Sequence, residues 1–308
     1  MSPEERTAKA PSSIGNLATG FDILGHTIEG PEDRVIVRRI DAATTRLSSV
    51  SGVLKELPAD PERNTALRAL EALRTSRGLT FGFEVDIVKG IALGSGMGGS
   101  AASAVAALVA ANALLPEPLQ VEALYPYAVE GEAAASGGHH GDNVGPMLLG
   151  GLVLATPDRL VRLPVPRGLT CVLVHPHLVL ETRRAREALA GGYTIGEFVP
   201  QSAGLAELLV GLFTGSAASL RAGLRDVLVE PRRAHLIPGF ASVKKAALDA
   251  GALGASISGG GPSVFAWFED RLAAEAAAPA MRMAFASAGF ESDAFVSPVD
   301  GPAARIVS

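Results

Sequence analysis

A run of five glycines within ten residues, followed at once by a serine and a long alanine-rich stretch, constrains this chain most. It reads GIALGSGMGGSAASAVAALVAANALL and covers residues 90–115. A strand pattern over 80–88 precedes the glycines, and the apolar stretch from about residue 100 to 115 predicts a helix that Pro116 ends. Glycines in front of a helix N-terminus leave backbone N–H groups accessible, so this arrangement predicts an anion-binding site.

The glycine pattern alone does not decide which ligand, if any, the loop binds. Gly94, Gly96 and Gly99 form a G-x-G-x-x-G pattern, which is typical of dinucleotide sites, and a tight turn packed against a neighbour would also need glycines. However, the loop lies near residue 95, after a β-rich opening and a helix, and not after the first strand of a βαβ unit. The acidic residue at the expected distance, Glu117, lies in a Pro-Glu-Pro turn. No G-K-[ST] occurs, so we expect a nucleoside triphosphate held by a loop other than a P-loop.

Composition narrows the class of protein. With 308 residues, 48% of them hydrophobic and 19% charged, the chain is expected to be globular with one large or two ordinary domains. The net charge of −5 and the absence of a Lys/Arg tract argue against nucleic acid and membranes as partners. The single cysteine, Cys171, is expected in a buried strand, and it favours a reducing compartment. The opening MSPEERTAKAPSS has no apolar core of a signal peptide, so we expect a cytoplasmic protein.

Hydrophobic periodicity predicts a mixture of strands and helices without a strict βαβα alternation. Strands are predicted over 34–40, 80–88, 150–156, 159–165, 169–175 and 293–297, and over GASIS and SVFAWF on either side of a second glycine run. Helices are predicted from Asp60-Pro61 to Gly78 and over 100–115, 119–136, 182–190, 202–214, 216–228, 239–250 and 271–288. The expected fold is therefore α+β with two domains, divided in the proline-bearing stretch 157–168.

Two further segments concentrate polar residues among small ones. APSSIGNLATGFDILG (10–25) contains Asn16 and Asp22, although a strand–turn with a capping aspartate would also explain it. GASISGGGPSVFAWF (254–268) carries more glycines than a tight hairpin needs. It therefore predicts a close approach to another backbone or to a ligand.

The segment EGEAAASGGHHGDNVGPMLLGGLVL (130–154) places Glu132 on a helix ahead of a polar loop. His139, His140 and Asp142 in that loop could bind a transition metal, but adjacent histidines point in different directions and no third soft ligand is near. Glu132 could instead give one carboxylate oxygen to Mg²⁺, which takes its other ligands from water and phosphate.

Together these segments resemble the GHMP kinase superfamily, and within it the homoserine kinase family, over almost the whole chain. The superfamily loop P-x-x-x-G-L-G-S-S-A-A appears here as A-L-G-S-G-M-G-G-S-A-A, with Ala92, Met97 and Gly99 in place of proline, leucine and the first serine. The narrower resemblance comes from NLATGFDILG, HGDNVGPMLLGGLVL, VEPRRAHLIPGF and ISGGGPSVFA, where Gly260 replaces a serine.

The resemblance implies a two-domain fold: a ribosomal-protein-S5-domain-2-like N-terminal domain over 1–160 and a ferredoxin-like α/β sandwich over 161–308. It implies ATP and Mg²⁺ as cofactors, L-homoserine as substrate and a homodimer. The residues carried over for nucleotide binding are Asn64, Gly94, Ser95, Gly96, Met97, Gly98, Gly99, Ser100, Ala101, Gly259, Gly260 and Gly261. Those for substrate are Asn16, Asp22, His140, Asp142, Thr182, Arg186 and Arg233. Ser100 and Glu132 are expected to hold Mg²⁺ and, with Asn143, to form the catalytic group.

These roles suit the chemistry of an amino acid with a terminal hydroxyl. Its ammonium needs a carboxylate such as Asp22, and its carboxylate needs the planar donor of an arginine. Some members of the superfamily use an aspartate base, but Asn143 stands at that position here and cannot accept a proton. We therefore expect direct in-line attack of the hydroxyl on the γ-phosphate, with alignment and charge neutralisation providing the rate.

Three other functions stay open from the sequence. A related kinase for a mevalonate-like or sugar substrate is the nearest, although mevalonate has no ammonium to use Asp22. A dinucleotide-dependent oxidoreductase would be protected by NAD and not by ATP. A nucleotide-binding protein without activity is suggested only by the altered loop residues, and the presence of both Ser100 and Glu132 argues against it.

Overall fold

The computed structural model describes residues 4–307, apart from the side chain of Ser136. The first three residues of the opening segment considered for export lie outside the described residues. The strands are β1 (Glu5–Gly15), β2 (Leu24–Ile40), β3 (Thr45–Gly52), β4 (Gly82–Lys89), β5 (Leu152–Ala155), β6 (Leu160–Arg162), β7 (Thr170–Pro176), β8 (Gly254–Ile257), β9 (Val264–Phe268), β10 (Ser292–Pro298) and β11 (Arg305–Val307). The α-helices are α1 (Thr65–Ser76), α2 (Gly99–Asn112), α3 (Tyr125–Ser136), α4 (Val144–Leu149), α5 (Thr182–Glu187), α6 (Ile195–Thr214), α7 (Ala217–Gly223), α8 (Glu230–Arg233), α9 (Phe240–Asp249) and α10 (Arg271–Ser287).

The first sheet is built around the long strand β2. Its order is β11-β1-β2-β4-β3, and β5 pairs with the beginning of β2 and carries β6 at its other edge. The pairing is antiparallel except between β3 and β4, which are parallel. The register between β1 and β2 shifts between Pro11 and Ser13, so the two strands continue past an irregularity toward the loop that contains Asn16. The loop that contains Asn16 therefore lies at one end of this sheet.

The second sheet has the order β10-β7-β9-β8, all antiparallel. With α9 and α10 it follows the chain order β-α-β-β-α-β, which is the ferredoxin-like arrangement. The helices bury Val243, Ala247, Met281 and Phe285 against it. The predicted α+β fold with two domains is thus confirmed. The exact division at residue 160 stays a prediction, and β11 pairs with β1 of the first sheet.

Helix α2 lies at the centre of the first domain. Alanines occupy half of its positions, and ten of its fourteen residues are buried. Small side chains on all sides let β1 and β2 approach from one direction and α1 and α3 from the other. Because α2 is packed all round, its N-terminus is held in a fixed place at the end of the glycine loop.

Several element boundaries differ from the sequence-based expectation. The Asp60-Pro61 pair opens only a 3₁₀ turn, Pro61–Arg63, and α1 begins after Asn64, whose side chain caps it. Similarly, a 3₁₀ turn, Val121–Leu124, precedes α3. Helix α6 begins seven residues before the predicted 202 because Thr194 and Glu197 form a capping box.

The short elements α4, α8 and β11 were not predicted, nor was the polar strand β3. Cys171 is buried in β7, as predicted. Within residues 4–307, no helix is both long enough and apolar enough to cross a lipid bilayer.

Candidate active site

A cleft of about 700 Å³ lies where the glycine loop, α3, α5 and the loop after β1 meet. It gathers eighteen of the predicted site residues from segments far apart in sequence: Asn16, Asp22, Asn64, Gly94, Ser95, Gly96, Gly98, Gly99, Ser100, Glu132, His140, Asp142, Asn143, Thr182, Arg186, Arg233, Gly259 and Gly260. Three predicted residues do not line it. Met97 and Ala101 have buried side chains that pack in the core, and Gly261 of the second glycine loop packs against Ile237.

The glycine loop turns through left-handed backbone at alternate positions. Gly94, Gly96 and Gly98 have φ values of +60°, +76° and +70°, respectively. Gly98 is the N-cap residue of α2. At the first turn of α2 the N–H groups have no carbonyl four residues earlier in the helix to bind. Together with the positive end of the helix dipole, they give this end of the cleft a preference for anions.

The second glycine loop packs directly on the first. A Cβ atom on Gly96 would lie 2.5 Å from the Ser258 carbonyl oxygen and 2.7 Å from that of Gly261. The Ser258 hydroxyl donates to the Gly96 carbonyl at 2.7 Å, and the Ser263 hydroxyl donates to that of Ser95 at 2.6 Å. The close backbone approach expected from the sequence is therefore present, and it joins the two domains at the cleft.

Ser100 and Glu132 meet beside the first turn of α2. The Ser100 hydroxyl donates to Glu132 Oε1 at 3.1 Å, and Glu132 is only 9% exposed. Burial raises the pKa of Glu132 to about 7, and the charge of Asp142 acts in the same direction. A hydroxyl and a carboxylate oxygen are the hard ligands that suit Mg²⁺, and a cation here would favour the ionised carboxylate. The residues present therefore fit a magnesium ion.

The other end of the cleft carries an ion pair between the two domains. Arg186 on α5 donates to both carboxylate oxygens of Asp22, at 2.8 and 3.1 Å. Asn16 Oδ1 accepts from the Asp22 N–H at 2.9 Å, and the Asn16 N–H donates to Asp142 Oδ2 at 2.9 Å. Both Asn16 and Asp22 have left-handed φ values, +59° and +61°. Non-glycine residues in this region are uncommon and concentrate at functional sites.

Arg233 is almost fully buried below this ion pair. Its Nε donates to the Ala185 carbonyl at 2.9 Å and its Nη1 to that of Gly259 at 3.1 Å. Burial and the nearby charge of Arg186 lower the pKa of Arg233 to about 10. The guanidinium groups of Arg186 and Arg233 lie 5.3 and 5.2 Å from the ring centre of Phe21. Two positive groups thus face one end of the cleft.

The side chains of the polar loop after α3 point to two different places. Nε2 of His139 lies 3.0 Å from Glu130 Oε2, outside the cleft, whereas Nδ1 of His140 lies 3.5 Å from Asp22 Oδ2. Burial lowers the pKa of His140, and it raises that of Asp142 to about 6. Within residues 4–307, no three His, Cys, Asp or Glu side chains form a group able to hold a metal ion.

Asn143 and Asn64 stand at opposite edges of the glycine loop. Asn143 Oδ1 accepts from the Ser13 hydroxyl at 2.8 Å and faces Gly98. Asn64 Oδ1 caps α1 by accepting from two backbone N–H groups, and its Nδ2 donates to the Pro58 carbonyl at 2.8 Å. Beside it Leu54, Leu57 and Pro58 add an apolar wall to the cleft. A predicted nucleobase contact at Asn64 stays a prediction, and the wall was not expected from the sequence.

Sequence reasoning also missed a buried lysine in the cleft. Lys89, the last residue of β4, lines it together with Ser103 of α2. The available signal was its place immediately before the glycine run. Its partner, Asp33 of β2, is more than fifty residues away in sequence and carries no local signal.

Comparisons with known proteins agree with this geometry. The family model described as GHMP kinases N terminal domain matches residues 64–151, and GHMP kinases C terminal matches 208–287. A homoserine kinase of Xanthomonas campestris pv. campestris is 60% identical over 304 residues, which are 99% of this chain and 94% of that protein. One from Chlorobium phaeovibrioides is 44% identical and covers 97% of this chain and 98% of its own.

Solved structures give the same result. The crystal structure of homoserine kinase from Cytophaga hutchinsonii has a TM-score of 0.94 and 39% identity, covering 100% of this chain and 98% of that one. The L. major mevalonate kinase in complex with R-mevalonate has a TM-score of 0.66 at 15% identity, covering 96% of each chain, and shares the fold alone. By motifs, fold and full-length identity, this chain belongs to the homoserine kinase family of the GHMP kinases.

Proposed function

We propose that this protein transfers the γ-phosphoryl group of ATP to the side-chain hydroxyl of L-homoserine, forming O-phospho-L-homoserine for threonine biosynthesis. The observation that carries the proposal is that one cleft joins an anion-binding helix N-terminus to the Asp22–Arg186 pair. Its two ends match the two substrates. The relatives named homoserine kinase span nearly the full chain, whereas two mevalonate kinases of the same fold are 11% and 15% identical.

The Asp22–Arg186 pair supports an amino acid as the acceptor. A zwitterion can offer its ammonium to Asp22 and its carboxylate to Arg186, so that each side chain exchanges an internal partner for a substrate group. Arg233 adds positive charge below, while Asn16, His140 and Asp142 shape the pocket. Thr182 lies one helical turn before Arg186 on α5, on the side that lines the cleft.

The glycine loop supports ATP as the donor. The cleft-lining residues between Gly94 and Ser100, together with Gly259 and Gly260, would surround the phosphates. The apolar wall beside Asn64 suits a nucleobase. Ser100 and Glu132 would hold Mg²⁺, which when bound neutralises charge on the phosphates. Membership of a kinase family implies ATP as the phosphoryl donor. The hydroxyl of Ser100 and the carboxylate of Glu132 are suitable oxygen ligands for Mg²⁺.

The reaction needs no strong base in this proposal. The transition state of phosphoryl transfer is loose and rich in charge, so orientation and electrostatic stabilisation dominate. Asn143 faces the loop at Gly98 and cannot accept a proton, so the hydroxyl proton would pass to phosphate or water. Asp142 is the titratable group to test. A loss of about 10⁴-fold in kcat for Asp142→Asn with both substrates still bound would contradict this scheme.

A coupled assay of ADP release with MgATP would test the function on L-homoserine, mevalonate and galactose in parallel. We expect turnover on L-homoserine alone, abolished in Glu132→Ala. Glu130→Ala is the matched control, because Glu130 lies on the same helix but binds Arg68 and His139 outside the cleft. No ADP release from a folded protein that binds ATP would reject the proposed substrate.

A second copy of this chain is the proposed partner, and the cytoplasm the proposed compartment. The surface of α6 supports the first: Ile195, Phe198, Val199, Val210 and Phe213 are each at least half exposed. The helical repeat places them on one side of α6, in two groups at 195–199 and 210–213, and exposed apolar patches mark protein interaction sites. The single buried cysteine supports the second.

A further inference from the structure

A buried ion pair lies directly beneath the glycine loop. Asp33 of β2 is fully buried and Lys89 of β4 is 5% exposed, and Lys89 Nζ donates to Asp33 Oδ2. Ser103, one turn into α2, donates its hydroxyl to the same oxygen at 2.7 Å. The three residues come from the three elements that surround the loop.

This group binds both ends of the loop. Asp33 Oδ1 accepts from the N–H groups of Gly90 and Ile91, at 3.0 and 3.1 Å, where the chain leaves β4. Lys89 Nζ donates to the Gly99 carbonyl at 2.6 Å, where the chain enters α2. The first and last residues of the glycine loop are therefore both hydrogen-bonded to the Asp33–Lys89 pair.

The protons of Lys89 are all engaged inside the protein. An ammonium has three donors, and here they meet Asp33, the Gly99 carbonyl and the Ser103 hydroxyl, the last at 3.0 Å. Lys89 lines the cleft, yet in this arrangement it presents no remaining donor to a phosphate. Its contribution to an anion site would thus be geometric, through the loop, together with its nearby charge.

The pair also explains why a carboxylate is needed at position 33. A lysine near the N-terminus of α2 is opposed by the positive end of the helix dipole, and an isolated buried ammonium is costly. Asp33 offsets both, and its four hydrogen bonds fix its orientation. A buried charge pair with every partner satisfied holds one geometry and resists alternatives.

We propose that Asp33 and Lys89 are positioning residues that hold the glycine loop in its nucleotide-binding geometry, with Ser103 as their third member. The inference rests on the proposed binding of ATP at this loop. It assigns the pair an effect on nucleotide affinity, and none on recognition of the acceptor at the Asp22–Arg186 end of the cleft.

A double-mutant cycle tests the proposal with Asp33→Asn, Lys89→Met and the combined variant. The readouts are ADP affinity by isothermal titration calorimetry, KM for ATP and KM for L-homoserine. Each single variant should weaken ADP binding and raise KM for ATP at least tenfold, with KM for L-homoserine changed less than twofold. The double variant should be no weaker than the worse single variant, because the residues act as one unit.

Asp86→Asn is the matched control. Asp86 forms an ion pair with Arg38 at 2.5 Å between the same two strands, β2 and β4, away from the cleft. It should alter stability without changing ADP affinity. Ser103→Ala, which removes a neutral hydroxyl, provides a milder variant if the charge changes prevent folding, and it should weaken ADP binding about threefold.

Three results would overturn the proposal. One is unchanged ADP affinity in folded single or Ser103→Ala variants, which would make the pair a purely structural element. Another is an additive loss in the double variant. The third is an equal rise in KM for L-homoserine. Because ADP binding is measured without acceptor, failure of the acceptor assignment would leave this test intact.

Discussion

Arg186 of the second domain binds both carboxylate oxygens of Asp22 in the first domain, at 2.8 and 3.1 Å. Both side chains are partly exposed to the cleft, at 34% and 23%. Donation of these hydrogen bonds to the Asp22 carboxylate raises the pKa of Arg186 further. The pair thus holds a negative and a positive group in the same cleft as the glycine loop.

Replacing Arg186 with lysine should impair the acceptor site selectively. Lysine keeps the charge but loses the planar two-pronged donor, and a hydrogen bond to a charged group contributes about 1.5–3 kcal/mol. We expect KM for L-homoserine to rise about 10- to 100-fold in Arg186→Lys, with KM for ATP within twofold. Steady-state kinetics with each substrate varied in turn measures both values.

Arg184→Lys is the control for this prediction, since Arg184 lies on the same helix, is exposed, and is not among the residues that line the cleft. It should behave like the unmodified protein. Equal effects of Arg186→Lys on both KM values would point to a general opening of the cleft.

Glu132 should lower the stability of the metal-free protein at alkaline pH. Its pKa rises from 4.5 unfolded to about 7 folded, so its contribution is favourable below pH 4.5 and is lost as pH increases through 7. The shift corresponds to about 3 kcal/mol. Glu132→Gln should therefore raise the free energy of unfolding at pH 8 by up to this amount, and have little effect at pH 4.5.

Urea unfolding of both proteins in EDTA at the two pH values measures the difference. Glu130→Gln is again the control, because Arg68 holds the pKa of Glu130 below its usual range. A Glu132→Gln variant that is less stable than the unmodified protein at pH 8 would disprove the burial argument.

His26 should make the interface between the two sheets sensitive to acid. Its Nδ1 donates to the Thr27 carbonyl at 2.9 Å, and its Nε2 accepts from the indole of Trp267 at 3.2 Å, so the buried ring is neutral. Burial lowers its pKa from 6.5 to about 4. Between these values the unfolded chain binds more protons, so stability falls as pH decreases from 6.5 toward 4, by about 3 kcal/mol in total.

His26→Gln should reduce this pH dependence. It should also lower stability at pH 7, because glutamine does not fill the buried space that the imidazole ring occupies. The free energy of unfolding at pH 4.5, 5.5 and 7 provides the test. An unchanged slope in His26→Gln would assign the acid sensitivity to other groups.

The exposed face of α6 should hold two copies together. Phe213→Glu places a charge in that patch, and we expect the dimer to dissociate at micromolar concentration, as measured by light scattering coupled to size-exclusion chromatography. Leu272→Glu is the control, because Leu272 is 80% exposed on α10 and stands apart from α6. A monomer in the unmodified protein, or a dimer in Phe213→Glu, would contradict the proposed interface.

Local sequence signals determined much of the candidate site. The glycine run, the Ser-Ala-Ala start of α2 and the motifs around Asn16, His140, Arg233 and Gly260 predicted most of the residues that line the cleft. These signals are readable because each depends on nearby residues: glycine permits left-handed backbone, alanine permits close helix packing, and short motifs place polar groups on one turn.

Tertiary structure decided the features that depend on distant partners. The sequence by itself determined the family, the anion-binding loop and the polar residues around it. Only the fold brought Asp33 beneath Lys89, paired Arg186 with Asp22, placed β11 beside β1 and turned the side chain of Met97 into the core. The physical reason is that burial, ion pairing and strand register arise from contacts between segments far apart in the chain, and no local pattern specifies them.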